Sequence, residues 1–307
     1  MTHCAALVLL DDLAVLAVSG EDAADFLHKQ LSNDVLHITP TQARWAAYCT
    51  AQGRMLASMV VWRPSDNELR LLVSRDIAAA ITRRLSMFVL RAKVHIELLD
   101  QLVHGCFLPT APDSLPDTPA EPWSRSHNTD GEWITAPHSD SQAPRAWRIS
   151  TSAQAAKPDN GRWRAADIQA GLPWIRQATQ DMFIPQTLNM DLNNGIDFKK
   201  GCYPGQEIIA RSHYRGTIKR RMAYGTVPWA ADLALPHVAD DLYAADSGDD
   251  RPVGRIIDLA HSDGILHALI ERSLADPATT RYSLGCAQGP VLALHDLAND
   301  KQPAASA

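Results

Sequence analysis

Between residues 44 and 99, short apolar runs alternate with turn residues in a pattern that suits an antiparallel sheet covered by a helix. Residues 45–50, 55–62 and 69–73 read as strands, separated by a Gln52-Gly53 turn and by Pro64-Ser65-Asp66-Asn67. Links this short join antiparallel neighbours, because a parallel pair needs a crossover of about a dozen residues or more. Residues 75–90 then place Ile77, Ile81, Leu85, Phe88 and Val89 at helical spacing, and 94–99 returns as a strand. Strands packed on one face by helices make an α+β layer.

The flanking sequence extends this layer. Residues 5–10 and 13–18 read as short strands around Asp11-Asp12, and Ser19 is placed to cap a helix whose apolar face carries Ala23, Phe26, Leu27 and Leu31. Pro112, Pro116, Pro119, Pro122 and Pro137 then interrupt the chain among Ser, Asp and Thr, which predicts a long surface excursion over 109–144. Order resumes at 147–150, and 163–169 reads as a short helix stopped by Gly171, with Pro173 beyond it. After Arg221, alternating runs at 222–227, 253–259, 265–270 and 291–294 predict a small C-terminal β-barrel. The expected organisation is an N-terminal α+β module over 1–108, the excursion over 109–144 and a second α+β segment over 145–221. A barrel over 222–298 and a frayed tail over 299–307 complete it.

Charge narrows the possible partners. With 29 Lys and Arg against 35 Asp and Glu, the net charge is −6, so any anion site must be a local basic patch, and strong nonspecific nucleic-acid binding is not expected. The longest apolar runs, such as 59–62, are far too short for a bilayer, and the expected location is cytoplasmic. Cys4, Cys49, Cys106, Cys202 and Cys286 are widely spaced without a C-x-x-C pair, which argues against a zinc site or a disulfide framework. The histidines likewise show no ligand spacing, and no metal site is expected.

One stretch stands apart from all of this. Residues 198–205 contain Gly201, Pro204 and Gly205 and cannot form a regular element, whereas 206–211 has helical composition. Cys202 therefore lies on a loop that feeds a helix N-terminus, preceded by Lys199 and Lys200. Both surroundings favour a thiolate, the form that acts as a nucleophile or a metal ligand. Gly201 and Gly205 allow a flat ligand to approach the backbone. Beyond the helix, Arg211, His213, Arg215, Lys219, Arg220 and Arg221 concentrate positive charge. They form either an anion site for a polycarboxylate tail or a solvated basic face.

The run Phe198-Lys199-Lys200-Gly201-Cys202-Tyr203-Pro204-Gly205-Gln206-Glu207, followed by Ala210-Arg211 and Arg215-Gly216, resembles the signature of the YgfZ family of folate-binding proteins. The likeness extends to Gly20-Glu21-Asp22-Ala23, Gln30-Leu31-Ser32-Asn33-Asp34, Ala46-Ala47-Tyr48-Cys49, Gln52-Gly53-Arg54-Met55 and Ala170-Gly171-Leu172-Pro173. The resemblance implies a fold shared with the glycine-cleavage T-protein, an aminomethyltransferase: α+β folate-binding modules and a C-terminal barrel around an opening that holds tetrahydrofolate. It implies a role in iron-sulfur cluster assembly or repair, which maintains cluster enzymes including those that thiolate tRNA, with Cys202 as the essential thiol. Iron-sulfur proteins or assembly factors are then expected as transient partners.

The resemblance also implies folate contacts. A family tryptophan is matched by Trp163, whose indole can stack on a pterin. A second is replaced by Leu13, which keeps an apolar contact and loses the stacking. Lys199, Lys200, Gly201, Tyr203, Gly205, Gln206, Glu207, Arg211 and Arg215 complete the expected cofactor site. The paired aspartates of the T-protein match Ala57 and Ser58, neither of which can act as a carboxylate base, and a T-protein glutamate matches Gln169. The expected function is thus a tetrahydrofolate-binding accessory factor, with two alternatives: a one-carbon transferase or demethylase, and a module that binds tRNA or a protein through residues 211–221.

Overall fold

The computed structural model describes residues 7–108, 121–139, 143–152, 156, 161–216, 218–230, 233–245, 247 and 250–297. Cys4, the start of the expected first strand, most of the Pro-rich cluster and the expected frayed tail lie outside them. The described residues form two five-stranded sheets and a closed barrel.

The first sheet contains β2 (Leu13–Ser19), β3 (Ala43–Cys49), β4 (Met55–Ser65), β5 (Glu68–Ser74) and β6 (His95–Leu99), in the order β3-β4-β5-β2-β6. All its pairings are antiparallel, which the short turns require for β3-β4 and β4-β5. Helix α2 (Arg75–Ser86) packs on this sheet through Ile77, Ala78, Ile81 and Leu85. It ends before Phe88, which is 47% exposed rather than inward as its spacing predicts, because the helical period no longer applies beyond Ser86. Helix α1 (Ala23–His28) buries Ala23, Phe26 and Leu27. Ser19 does not cap it. That residue ends β2, the cap position is Asp22, and the Asp22 carboxylate instead accepts from the Lys93 amide at 2.7 Å.

The second sheet runs β1-β7-β10-β9-β8, with β1 (Leu7–Leu9), β7 (Leu102–Phe107), β8 (Arg125–Asn128), β9 (Gly131–Ala136) and β10 (Arg145–Ser150). Two expectations change here. β1 and β2 flank Asp11-Asp12 but belong to different sheets, since β1 pairs with β7. Within the expected excursion, β8 and β9 form a hairpin, and β10 pairs with β9 on the latter's other edge. The prolines fall on either side of 125–136, leaving an uninterrupted stretch whose inward residues include Trp133 and Ile134.

The barrel closes in the order β11-β14-β13-β12-β15-β16. Its strands are β11 (Arg220–Pro228), β12 (Asp241–Ala244), β13 (Pro252–Ser262), β14 (Ile265–Ser273), β15 (Tyr282–Leu284) and β16 (Val291–His295). β12 and β15 were not legible as strands because four and three residues carry too little alternation. Helix α3 (Arg162–Gln169) packs on β13 and β14 and ends at Ala170 and Gly171, the latter at φ +67°. Helix α4 (Gln206–Tyr214) follows the glycine-rich loop.

One apolar core runs beneath both sheets and α3, and a second fills the barrel. Cys106 is disulfide-bonded, a pairing that the wide spacing of the cysteines, read as arguing against a disulfide framework, did not indicate. Among the described residues no helix is long and apolar enough to cross a membrane.

Candidate functional site

The loop around Cys202 is held by its own residues against two distant segments. Gly205, at φ +83°, begins α4 in a conformation that favours glycine. A β-carbon there would meet the Thr50 carbonyl at 2.5 Å and Gly53 Cα at 2.6 Å, so the loop rests on the turn between β3 and β4. Gly53 reciprocates: its own β-carbon would lie 3.1 Å from Ile208 Cβ on α4. The two glycines are separated by some 150 positions, and each is needed for the other's close approach. Gln206 is the local brace, its Oε1 accepting from the Tyr203 amide at 3.3 Å.

Lys200 fastens the other side. Its ammonium donates to the carbonyls of His28 and Leu31 at the end of α1, and sits 4.9 Å from the centre of the Tyr203 ring. Burial pushes its pKa down to about 8, against the pull of Asp34 and Asp197. Lys200 is therefore a clamp, and the expectation that both lysines serve the thiol is not what the structure arranges. Tyr203 is buried, which pushes its phenol upward. Cys202 and Gly201 are exposed, and with His28, Lys29, Tyr203 and Pro204 they line a groove of about 450 Å³. His28 reaches this groove from α1: a β-carbon on Gly201 would stand 3.8 Å from its Nε2. Burial, then the nearby Lys200, push the His28 pKa down, and its Nδ1 lies 3.3 Å from the Asp34 carboxylate.

A second cavity, of about 480 Å³, opens between the start of β2 and α3. Leu9, Leu10 and Leu13 give it an apolar wall, Trp163 and Trp174 a second wall, and Asp12, Arg164, Asp167 and Arg176 its charges. The charges are organised. Arg176 meets Asp12 at 2.6 Å, Arg164 meets Asp258 at 2.5 Å, and buried Asp167 accepts from Arg145 at 2.5 Å and from the Trp174 indole at 2.9 Å. Burial pushes the Asp167 carboxyl upward, while Arg145 and Trp174 act in the opposite direction. Trp163 is 2% exposed. It packs over Gly105, where a β-carbon would be 2.3 Å from its ring, and the Arg145 guanidinium lies 4.8 Å from its centre.

The residues singled out in the sequence thus divide among separate places. Leu13 and Trp163 share the second cavity; Gly201, Cys202 and Tyr203 line the groove; Lys199 lines a third cavity with Trp45 and Trp123. Arg211 and Arg215 are exposed on α4 and at its end, with Glu207 exposed in its first turn. The basic run beyond them is partly spent within the fold, since the two terminal guanidinium nitrogens of Arg221 hold Asp191 and Arg220 lies 3.4 Å from Glu271. Sequence reasoning missed Ser32 and Asn33 as the residues that join the segments: Ser32 donates to Gly195 O, and Asn33 to both Trp45 O and Asn194 O. Their only signal was their place in the Gln30-Leu31-Ser32-Asn33-Asp34 run.

No family model matches the chain. The tRNA-modifying protein YgfZ of Edwardsiella ictaluri is 33% identical over 254 residues, spanning 77% of this chain and 74% of the relative. The chain belongs to the YgfZ family. A further member, the tRNA-modifying protein YgfZ of Klebsiella pneumoniae, is 32% identical over 251 residues, spanning 77% of this chain and 75% of its own. The glycine cleavage system aminomethyltransferase T from Bartonella henselae superposes with a TM-score of 0.66 at 14% identity, over 95% of this chain and 85% of that one. At that identity the likeness speaks for the fold. The YgfZ chain described here therefore has the aminomethyltransferase architecture expected from its motifs, α+β with a closed C-terminal barrel.

Proposed function

We propose that this YgfZ-family protein binds a reduced folate in the Leu13–Trp163 cavity and presents Cys202 as a reactive thiol in iron-sulfur cluster assembly or repair. Through that role it would sustain cluster-dependent enzymes such as those that thiolate tRNA. The observation that carries the folate reading is that Leu13 and Trp163, on β2 and α3, line one cavity. The cavity has apolar walls for a flat ring and charged groups, Asp12, Arg164 and Arg176, for the polar edge of a pterin or the carboxylates of its tail. With little of its ring exposed, Trp163 offers a contact rather than an open stacking face.

Aminomethyl transfer is not favoured. Ala57 is buried, and the Ser58 hydroxyl both donates to Pro173 O at 2.8 Å and accepts from the Ile175 amide at 2.9 Å. A hydroxyl committed to two backbone partners is not a base. The relatives' names, which contain the words tRNA-modifying, support the link to tRNA. No group of three metal-ligating side chains occurs among the described residues, so a cluster, which needs about four ligands, would be shared with a partner.

The test is calorimetry with tetrahydrofolate on the wild type, Trp163→Ala, Trp163→Phe and Cys202→Ala. Saturable binding that survives Cys202→Ala, is lost in Trp163→Ala and is partly kept in Trp163→Phe supports the reading. Wild-type protein that shows no saturable binding of tetrahydrofolate overturns it.

A further inference from the structure

The first sheet ends in β6, which pairs with β2 on one side and with no described residue on the other. We propose that this edge is an interface for a second copy of the chain, in which two β6 strands pair antiparallel about a twofold axis at Ile96 and join the two sheets into one.

An open sheet edge carries backbone donors and acceptors that a further strand can take up, and prolines and bulges are common devices against this. β6 has neither: no proline occurs in 91–99, and its register with β2 is unbroken from His95 to Leu99. The nearest lysine, Lys93, lies outside the strand and is held 2.6 Å from Glu21. Alternation along the strand puts Val94, Ile96 and Leu98 on one face and His95 and Glu97 on the other. Ile96 is buried, but Leu98 on the same face is 45% exposed. The connection from α2 adds Met87, Phe88 and Leu90, all exposed, Leu90 to 87%. Large apolar side chains left in water around an open strand mark an association surface.

The residues of the edge choose both the partner and the register. Residues directly opposite each other in an antiparallel pair point to the same face, so the twofold axis of a continuous sheet passes through a residue and not between two. An axis at Glu97 would set two carboxylates opposite each other, which is destabilising, and an axis at His95 would pair the two imidazoles. An axis at Ile96 sets each His95 opposite the Glu97 of the other copy, each Leu98 opposite a Val94, and Ile96 opposite itself. Opposite charges meet twice on one face and apolar side chains meet on the other. His95 and Glu97 already lie 3.9 Å apart within the strand, with side chains 72% and 53% exposed, so both can reach across the edge. A strand of unrelated sequence would satisfy the backbone alone. The match of this strand to its own reverse is what an isologous interface requires, and it points to a second copy.

Sedimentation equilibrium of the full-length protein across the micromolar range tests this. A reversible dimer is expected. His95→Glu places acid opposite acid at both ends of the pairing and should weaken the dimer about tenfold. His95→Glu combined with Glu97→His exchanges the two charges and should restore it, while Leu98→Asp should weaken it through the other face. A chain that stays monomeric at every concentration overturns the proposal. So does a dimer indifferent to His95→Glu and Leu98→Asp, or a double variant that associates no more tightly than His95→Glu alone. Should a variant not fold, hydrogen exchange of the wild type carries the same test: amides in 94–98 should slow as the protein is concentrated, and no change there would overturn the interface. None of these outcomes bears on tetrahydrofolate binding in the Leu13–Trp163 cavity.

Discussion

The Ser58 hydroxyl and the Pro173 carbonyl, 115 positions apart, are joined by a buried hydrogen bond of 2.8 Å, so the centre of the first sheet is tied to the segment that follows α3. The same hydroxyl receives the Ile175 amide. Replacing Ser58 by alanine leaves a buried donor without its acceptor, and is expected to cost about 1–3 kcal/mol. Urea denaturation would measure it. An unchanged midpoint would mean that the segment finds other partners. Ser58→Asp is expected to lower stability further without creating aminomethyl transfer, since a buried carboxylate would face the Pro173 carbonyl.

Gly205 and Gly53 approach each other through bare backbone. Gly205→Ala places a methyl group 2.5 Å from the Thr50 carbonyl in a left-handed conformation, and is expected to cost about 1–3 kcal/mol. The damage should concentrate at the Cys202 loop. Hydrogen exchange of the amides in 201–208 should accelerate in the variant, while those of the barrel strands should not change.

Thiol labelling should separate the cysteines by exposure. Cys202 and Cys286 are exposed and Cys49 is buried, with its thiol pushed up by burial. Iodoacetamide on native protein is expected to modify Cys202 and Cys286 and to spare Cys49 until denaturant is added, as read by peptide mass spectrometry. Modification of native Cys49 at the rate of Cys202 would contradict the packing of β3 described above.

Stability should fall as the pH is lowered through the histidine range. His28, His104 and His267 all have their pKa pushed below 6.5, in each case first by burial. The folded state therefore holds fewer protons than the unfolded chain once the pH falls below about 6.5, and stability is lost on acidification from there through the lowered folded values. Above that range all three are neutral in both states and the contribution is constant. Thermal melts from pH 7.5 to 5 would show the slope, and His104→Gln with His267→Gln should flatten it.

The meander over β3, β4 and β5, the helix α2 and four of the barrel strands were legible in the sequence because each carries its own run of apolar spacing, and α3 was legible because Gly171 and Pro173 mark its end. The hairpin of β8 and β9 was obscured by the prolines around it, although the stretch between them is free of breakers. The place of Cys202 on a loop before a helix was legible too, since Gly201, Pro204 and Gly205 break any regular element there; its exposure comes from the structure.

What the sequence determined by itself was therefore local: which runs extend, which coil, where the chain must turn, and the family its motif belongs to. Only the tertiary structure decided which of these residues meet. It sent Lys200 to the carbonyls of His28 and Leu31, put Leu13 and Trp163 on the lining of one cavity, and set Gly53 against Gly205. The physical reason is that local structure follows from the covalent chain and its immediate periodicity. The burial of a charge and the docking of two glycines arise from contacts between distant segments, which no local pattern encodes.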